Sequence, residues 1–360
     1  MTKAKRVLPD HDDFIRLPAL EMSALVRQNI RTKVSWRHKL KLIAMLGRPR
    51  TGIHALLCFM LGLSFAGYEN TPVWAIILGA GIYFVWASVL ANLENNYADL
   101  EEDCHNVPGR VYLVAQRGYD NLLLDIIVLN LLLLMGAAFL GFVSFMFMLL
   151  ALLVPHQYSF GPLRAKARPW WCLVIMAQLV VFPFIAGIIL GQANNNNFTS
   201  APRCLAMIIF LNLWFIAKAM FKNVPDFAGD KAAGLLTSAT LCATRKRAAI
   251  IATLTEISAY ASLAALVISG LEQPRLLFAL FWIAPILWNC MRLIQSEGMA
   301  QNNQCLKFNA LCGAGFMASV LLLIFPKFGS IMSVAVVIGI IFASEAWLLD
   351  ARRDEHLHKI

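Results

Sequence analysis

From about residue 53 onward the chain alternates long apolar runs with short polar ones. A helix needs about 20 apolar residues to cross the hydrocarbon core of a bilayer. Runs of that order fall at 53–69, 72–93, 120–139, 141–155, 170–191, 203–221, 248–269, 275–293, 308–325 and 330–349. The pattern predicts an all-α, polytopic transmembrane bundle of nine or ten helices. The ambiguity lies at 141–155, which is short and follows the run before it almost directly.

Composition agrees. A length of 360 residues could hold two or three soluble domains, but the chain is 59% hydrophobic and only 14% charged, with a mean hydropathy of +0.65. Such a chain has lipid as its main solvent. The expected organisation is a basic N-terminal arm over 1–50, a single transmembrane domain over 51–350 and a short tail over 351–360. The first long apolar run starts past residue 50, too late for a cleavable signal peptide.

The net charge of +10 changes the picture through its distribution. Twelve of the 31 Lys and Arg residues fall within 1–50, which places the N-terminus in the cytosol by the positive-inside rule. With ten spans, the loops at 94–119, 156–169, 222–247 and 294–307 and the tail then become cytoplasmic too. The opposite loops hold Lys327, with Arg203 and Arg275 at their edges. The stretch "RTKVSWRHKLK" at 31–41 is expected to lie along anionic headgroups. Nothing beside it resembles a base-reading module, so no nucleic-acid partner is expected.

Eight cysteines show no C-x-x-C spacing and lie mostly in the apolar runs, as small packing residues do. The polar run "GQANNNNFTSAPR" at 191–203 reads as an outside loop, and Asn197-Phe198-Thr199 within it is formally a glycosylation acceptor in a eukaryotic source.

Against this apolar background stands "NNYADLEED" at 95–103, directly after the second run. Asn95, Asp99 and Asp103 lie four apart, so a continuing helix projects all three from one face. The sixth run ends similarly, in "KNVPDFAGDKAAG" from Lys222, where Asp226 and Asp230 repeat the spacing. One acidic helix end is often only a solvated end. Two matched clusters on the same side of a membrane are a ligand set, because crowded carboxylates repel one another until a cation neutralises them. Magnesium suits carboxylate and amide oxygens and completes its shell with water and substrate phosphates. A third segment on the same side, "YSFGPLRAKARPWW" at 158–171, carries Arg164, Lys166 and Arg168, side chains suited to phosphate oxygens. Acids and bases together imply a metal-bridged diphosphate.

At these residues the chain resembles the UbiA superfamily of intramembrane prenyltransferases. Asn95-Asn96-Tyr97-Ala98-Asp99-Leu100-Glu101-Glu102-Asp103 is similar to the family's NDxxDxxxD. Lys222-Asn223-Val224-Pro225-Asp226-Phe227-Ala228-Gly229-Asp230 is similar to its KDxxDxxGD. Tyr158-Ser159-Phe160-Gly161-Pro162-Leu163-Arg164-Ala165-Lys166 resembles YSxxPxRxK, and "GRPRT" at 47–51 resembles the R-P-x-T that precedes the first span.

The resemblance implies a helical bundle around a central cavity, capped by cytoplasmic loops. It implies two Mg2+ ions held by Asn95, Asp99, Asp226 and Asp230, with Asp103 supplementing them. Arg164, Lys166 and Lys222 would hold a prenyl diphosphate, and Tyr158 would touch a phosphate or a carbocation. Asn96 and Asn223 depart from the family's aspartates, and "HNVPGRVYLVAQRG" at 105–118 replaces its R-P-x-x-x-G, where Arg110 could take over part of that role. Arg48 and His105 are candidates beside the acceptor or the loop. Glu94, Glu101 and Glu102 read as cap-helix surface, and His156 as solvated.

The expected reaction ionises a polyprenyl diphosphate and alkylates a small aromatic acceptor, in an integral membrane protein such as one of the bacterial inner membrane. A terpene cyclase without an external acceptor is the alternative. A cation-coupled transporter would place its acids near the centres of the spans, not at their ends.

Overall fold

The computed structural model describes residues 8–28, 35–194, 200–232 and 234–349, and among them there are helices and no strand. Three short helices, α1 (His11–Ile15), α2 (Ala19–Arg27) and α3 (Trp36–Gly47), precede the first span. Ten helices are then long and apolar enough to cross a membrane. They are α4 (Pro49–Ala66), α5 (Val73–Ala98), α8 (Tyr119–Phe139), α9 (Phe142–Ser159), α10 (Pro169–Asn194), α11 (Ala201–Asn223), α13 (Arg245–Ile268), α14 (Pro274–Gln295), α15 (Met299–Ile324) and α16 (Phe328–Ala346). Short helices α6 (Leu100–Asn106) and α7 (Pro108–Arg117) link α5 to α8, and α12 (Phe227–Ala232) follows α11.

The nine-or-ten ambiguity resolves to ten because α9 runs on through Pro155 to Ser159. A proline has no N–H for the carbonyl four residues before it, here that of Ala151. The indole Nε1 of Trp86, on α5, donates to that carbonyl at 3.0 Å, so the helix continues with no orphaned acceptor in the apolar layer.

Helix α4 is the most enclosed span, with 89% of it buried, whereas α8 and α16 are only 22% buried and face outward. Its tightest neighbour is α10. A Cβ on Gly62 would stand 1.8 Å from the Phe184 carbonyl oxygen, and one on Gly187 would stand 2.1 Å from that of Phe59. Only glycines allow these backbones to touch, and close backbone contact replaces the hydrophobic drive that lipid cannot supply.

The described part of the N-terminal segment is folded onto the bundle and is not a loose arm. Phe14, Met22 and Val26 are buried, and α1 and α2 pack on α6 and α7. In α3, Leu42, Met45 and Leu46 are buried while Trp36 and Leu40 remain exposed; residues 31–34 lie outside the described residues, as do Asn197–Thr199 and the 351–360 tail. Helices α1–α3, α6, α7 and α12 together cap one face of the bundle. On the other face Arg203 grips Glu272 with two hydrogen bonds of 2.7 and 2.8 Å. All eight cysteines are free, most of them buried among apolar side chains.

Candidate active site

The first acidic cluster is set by how α5 ends. Over Trp86–Leu90 the helix widens into a π turn, a local insertion that re-aims the residues after it. Asn92 then fastens α5 to the turn after α3, its Nδ2 donating to the carbonyl oxygens of Gly47 (3.1 Å) and Ser88 (2.7 Å) and to Thr51 Oγ1 (3.0 Å). At Asp99 the helix breaks, with φ −99° and ψ 16°. The four-residue hydrogen bonding persists across the break, from Asp99 N to Asn95 O (2.9 Å) and from Asp103 N to Asp99 O (2.8 Å). Asn95, Asp99 and Asp103 therefore all reach one cavity of about 110 Å³ under the cap.

The opposite wall of that cavity comes from the end of α11 and from α12: Lys222, Asn223, Asp226 and Asp230. Gly229 leaves room there for Asn106, since a Cβ would fall 1.7 Å from Asn106 Oδ1 and push that side chain aside, and Asn106 also lines the cavity. Between the walls lies Lys166, whose Nζ is 2.6 Å from Asp99 Oδ1 and also bonds Glu102. Asn95 Nδ2 donates to the other Asp99 oxygen.

Electrostatics mark this as a site built for cations. Burial pushes the Asp99 carboxyl up to about 7, opposed by Lys166 and reinforced by Asp103. Burial and the neighbouring Asp226 push Asp230 up to about 6. Burial alone would lower Lys166, yet Asp99 and Glu102 beside it hold its ammonium above the ordinary lysine value. Carboxyls displaced in this way by burial and like charge gain from a bound cation.

The remaining candidates separate by position. Arg110 lies in the cavity wall, paired with Asp103 at 3.0 Å. Arg48, in the left-handed conformation at φ 46°, donates to Asn92 Oδ1 and lines the cavity with Tyr158 and Lys222. Arg164 is half exposed and pairs with Glu102 at 2.6 Å, outside the cavity lining. His105 and His156 are exposed.

Two acidic residues depart from the surface role expected of them. Glu102 lines the cavity and takes both Arg164 and Lys166, while Glu94 is buried, 2% exposed, beside Asn130. Asn106 was not singled out in the sequence. Nothing in the sequence around it marks it, because its place in the cavity depends on α12 folding against it.

Among the described residues, no three His, Cys, Asp or Glu side chains already converge at metal-binding distance. The donor chemistry fits magnesium nonetheless. The acidic and amide side chains facing the cavity offer the hard oxygen donors magnesium takes, and the ammonium of Lys166 already occupies a cation's place on Asp99.

A second, larger chamber of about 240 Å³ adjoins the acidic cavity, sharing Arg48, Asn95, Tyr158 and Lys222 with it. Ile175, Met176, Leu179, Phe215 and Phe221 form its apolar walls.

The sequence profile described as the UbiA prenyltransferase family matches residues 55–311. The chain belongs to the UbiA prenyltransferase family. Solved structures agree in fold. A UbiA homolog from Archaeoglobus fulgidus bound to GPP and Mg2+ superposes with a TM-score of 0.60 at 22% identity, covering 79% of this chain and 99% of its own. A digeranylgeranylglyceryl phosphate synthase gives 0.55 at 16% identity, over 83% and 99%. The apo structure of a UbiA homolog from Aeropyrum pernix K1 gives 0.54 at 15%, over 75% and 97%. No curated protein sequence matches significantly. This UbiA-family chain is thus an integral, multi-pass membrane protein with the prenyltransferase fold.

Proposed function

We propose that this protein is an intramembrane prenyltransferase that ionises a polyprenyl diphosphate and transfers its prenyl group to a small aromatic acceptor. The observation that carries the reading is the meeting of the two acidic clusters and Lys166 around one cavity, beside an apolar-walled chamber. The diphosphate occupies the acidic cavity and the prenyl chain extends into the chamber. Asn95, Asp99, Asp226 and Asp230 would hold two magnesium ions, with Asp103, oriented by its pairing with Arg110, supplementing them. When bound, magnesium neutralises the diphosphate and so eases departure of the leaving group.

The chain's own residues do the rest. Lys166, Lys222 and Arg48 supply fixed positive charge to the leaving oxygens in a water-poor site. The allylic C–O bond breaks with its electron pair going to diphosphate. A π pair of the acceptor forms the new C–C bond, and the displaced ring proton goes to the departing diphosphate. Tyr158, shared by both cavities, presents its ring or hydroxyl where charge develops.

The chamber lining favours an acceptor over cyclisation. It is not apolar throughout: Arg50, Lys218 and Lys307 line it, paired with Glu345, Glu256 and Glu345, and such polar groups suit an acceptor that can hydrogen-bond better than a hydrocarbon chain folding on itself. The excess of basic residues on the cap side supports a cytosolic orientation for that face.

Purified protein with Mg2+ and geranyl, farnesyl or geranylgeranyl diphosphate tests this, with products followed by mass spectrometry. The expected result is slow turnover until an aromatic acceptor is added, with Asp99→Ala and Asp226→Ala each losing at least about a hundredfold. A cyclic terpene formed from the diphosphate alone would replace transfer by cyclisation. Full diphosphate release by both alanine variants would sink the site assignment. Titration of Mg2+ against the wild type, monitored calorimetrically, gives the ion count, for which two is expected.

A further inference from the structure

Helix α3 has two unlike halves. Ser35 caps it, its hydroxyl accepting from the His38 N–H. Towards its end Leu42, Met45 and Leu46 are buried, where the helix packs on α5 and α7. Its first turns instead carry Trp36, 67% exposed, and Leu40, 56% exposed, four residues apart and so on one face. Around them stand Arg37 and Lys39, both exposed, and Lys41, partly so, with the Arg37 guanidinium 5.7 Å from the centre of the Trp36 ring. The sequence has no acidic residue between Glu21 and Glu69, so no carboxylate of this stretch neutralises those bases. An apolar pair ringed by bases is poorly matched to water. It is well matched to the headgroup layer of an anionic bilayer, which takes indole and leucine side chains among its upper acyl carbons and basic groups on its phosphates. Position agrees, since α3 ends at Gly47 and the first span begins at Pro49. Exposed tryptophans also mark the cap ends of other spans, Trp170 and Trp171 at the start of α10 and Trp347 just after α16, as they do where membranes meet water.

The buried end of α3 is tied to the site. The Leu46 carbonyl accepts from Asn96 Nδ2 and the Gly47 carbonyl from Asn92 Nδ2, each at 3.1 Å. A Cβ on Gly47 would stand 3.0 Å from the Val89 Cα, within the π turn of α5, so the two backbones meet with no side chain between them. The next residue, Arg48, donates to Asn92 Oδ1 and lines both cavities. A shift of α3 therefore reaches Arg48 and the end of α5, which carries Asn95 and Asp99.

We propose that the Trp36–Leu40 face of α3, with Arg37, Lys39 and Lys41, docks on anionic phospholipid of the bilayer in which the protein sits, and that this docking holds Arg48 and the end of α5 in the arrangement that binds diphosphate. The coupling rests on the prenyl diphosphate reading above; the docking does not. Lipid and diphosphate are then linked through one helix, and each raises the affinity for the other by the same factor.

Two measurements take the halves separately, on the full-length protein in nanodiscs of phosphatidylcholine alone or with about 30% phosphatidylglycerol. For docking, a spin label on Leu40→Cys, with the partly exposed Cys204 and Cys242 changed to serine, reports its depth through collisions with oxygen against a water-soluble nickel chelate. The label is expected to enter lipid in the anionic discs and to retreat when Arg37→Gln, Lys39→Gln and Lys41→Gln are combined. A label in water in both discs, one equally shielded in both as a protein partner would leave it, or one that the triple variant does not move overturns the docking. For coupling, pyrophosphate with Mg2+ is expected to bind at least about fivefold more tightly in the anionic discs, the lower end of coupling between sites. The sign is diagnostic, because surface charge alone repels pyrophosphate and weakens its binding. The triple variant should lose the gain while matching the wild type in neutral discs, which reports that it is folded. Unchanged or weaker binding by the wild type in anionic discs, or a gain that the triple variant keeps, overturns the coupling. Absence of pyrophosphate binding in either lipid removes the prenyl diphosphate reading and the coupling with it, while the label still decides the docking.

Discussion

Asn96 is the neighbour of Asn95, yet its amide points away from the cavity and donates to the Leu46 carbonyl at 3.1 Å. An aspartate, which can only accept when ionised, could not make that bond. The asparagine therefore fastens α5 to the end of α3 and spares the buried site a further negative charge. Asn96→Asp is expected to destabilise the protein by about 2–4 kcal/mol, from a lost hydrogen bond and an unpaired buried carboxylate; thermal unfolding in detergent measures it. The basic residues divide by the same reasoning. Arg110 is buried against Asp103, so Arg110→Ala leaves a desolvated carboxylate beside the reaction site and is expected to lower activity at least about tenfold. Arg164 is half exposed on Glu102, and Arg164→Ala is expected to change activity less than about threefold. Comparable losses in steady-state rates for the two variants would contradict this division.

Among the elements, α9 shows a local defect met by a distant residue. Pro155 frees the Ala151 carbonyl and Trp86 takes it up, so Trp86→Phe is expected to cost about 1–3 kcal/mol. In a Pro155→Ala background the restored N–H serves that carbonyl, and the penalty of Trp86→Phe should shrink. A double-mutant cycle that showed simple additivity would rule out the compensation. This is also where legibility ended. The apolar run at 141–155 looks short because polar His156 and Gln157 follow it, and a lone sequence does not reveal that an indole 65 residues before Ala151 lets the helix carry on past Pro155. The spacing of Asn95, Asp99 and Asp103 was readable because four-residue hydrogen bonding outlasted the break at Asp99. The roles of Glu102 and Asn106 were not, since each depends on which residues of other loops fold against it. Lys218 and Glu256 could have been found, as ionisable residues within otherwise apolar spans are functional candidates by default.

At the scale of the molecule, the proposed site lies at one face, between the cap and the membrane ends of α5 and α11. That face should be the cytosolic one. Single cysteines replacing Arg164 and Lys327, residues about half exposed on opposite faces, are expected to react with a membrane-impermeant thiol reagent from opposite sides of sealed vesicles. Arg164→Cys should label from the cytosolic side, and the reverse pattern would invert the topology. Far below the cap, the bundle is fixed where α4 and α10 touch through Gly62 and Gly187. Helices separated by side chains can part when those side chains change rotamer, but two backbones in contact have no such layer to yield. That seam is a wall and not a door. The two helices cannot part along that seam, and what holds it shut is two hydrogen atoms where other residues carry side chains.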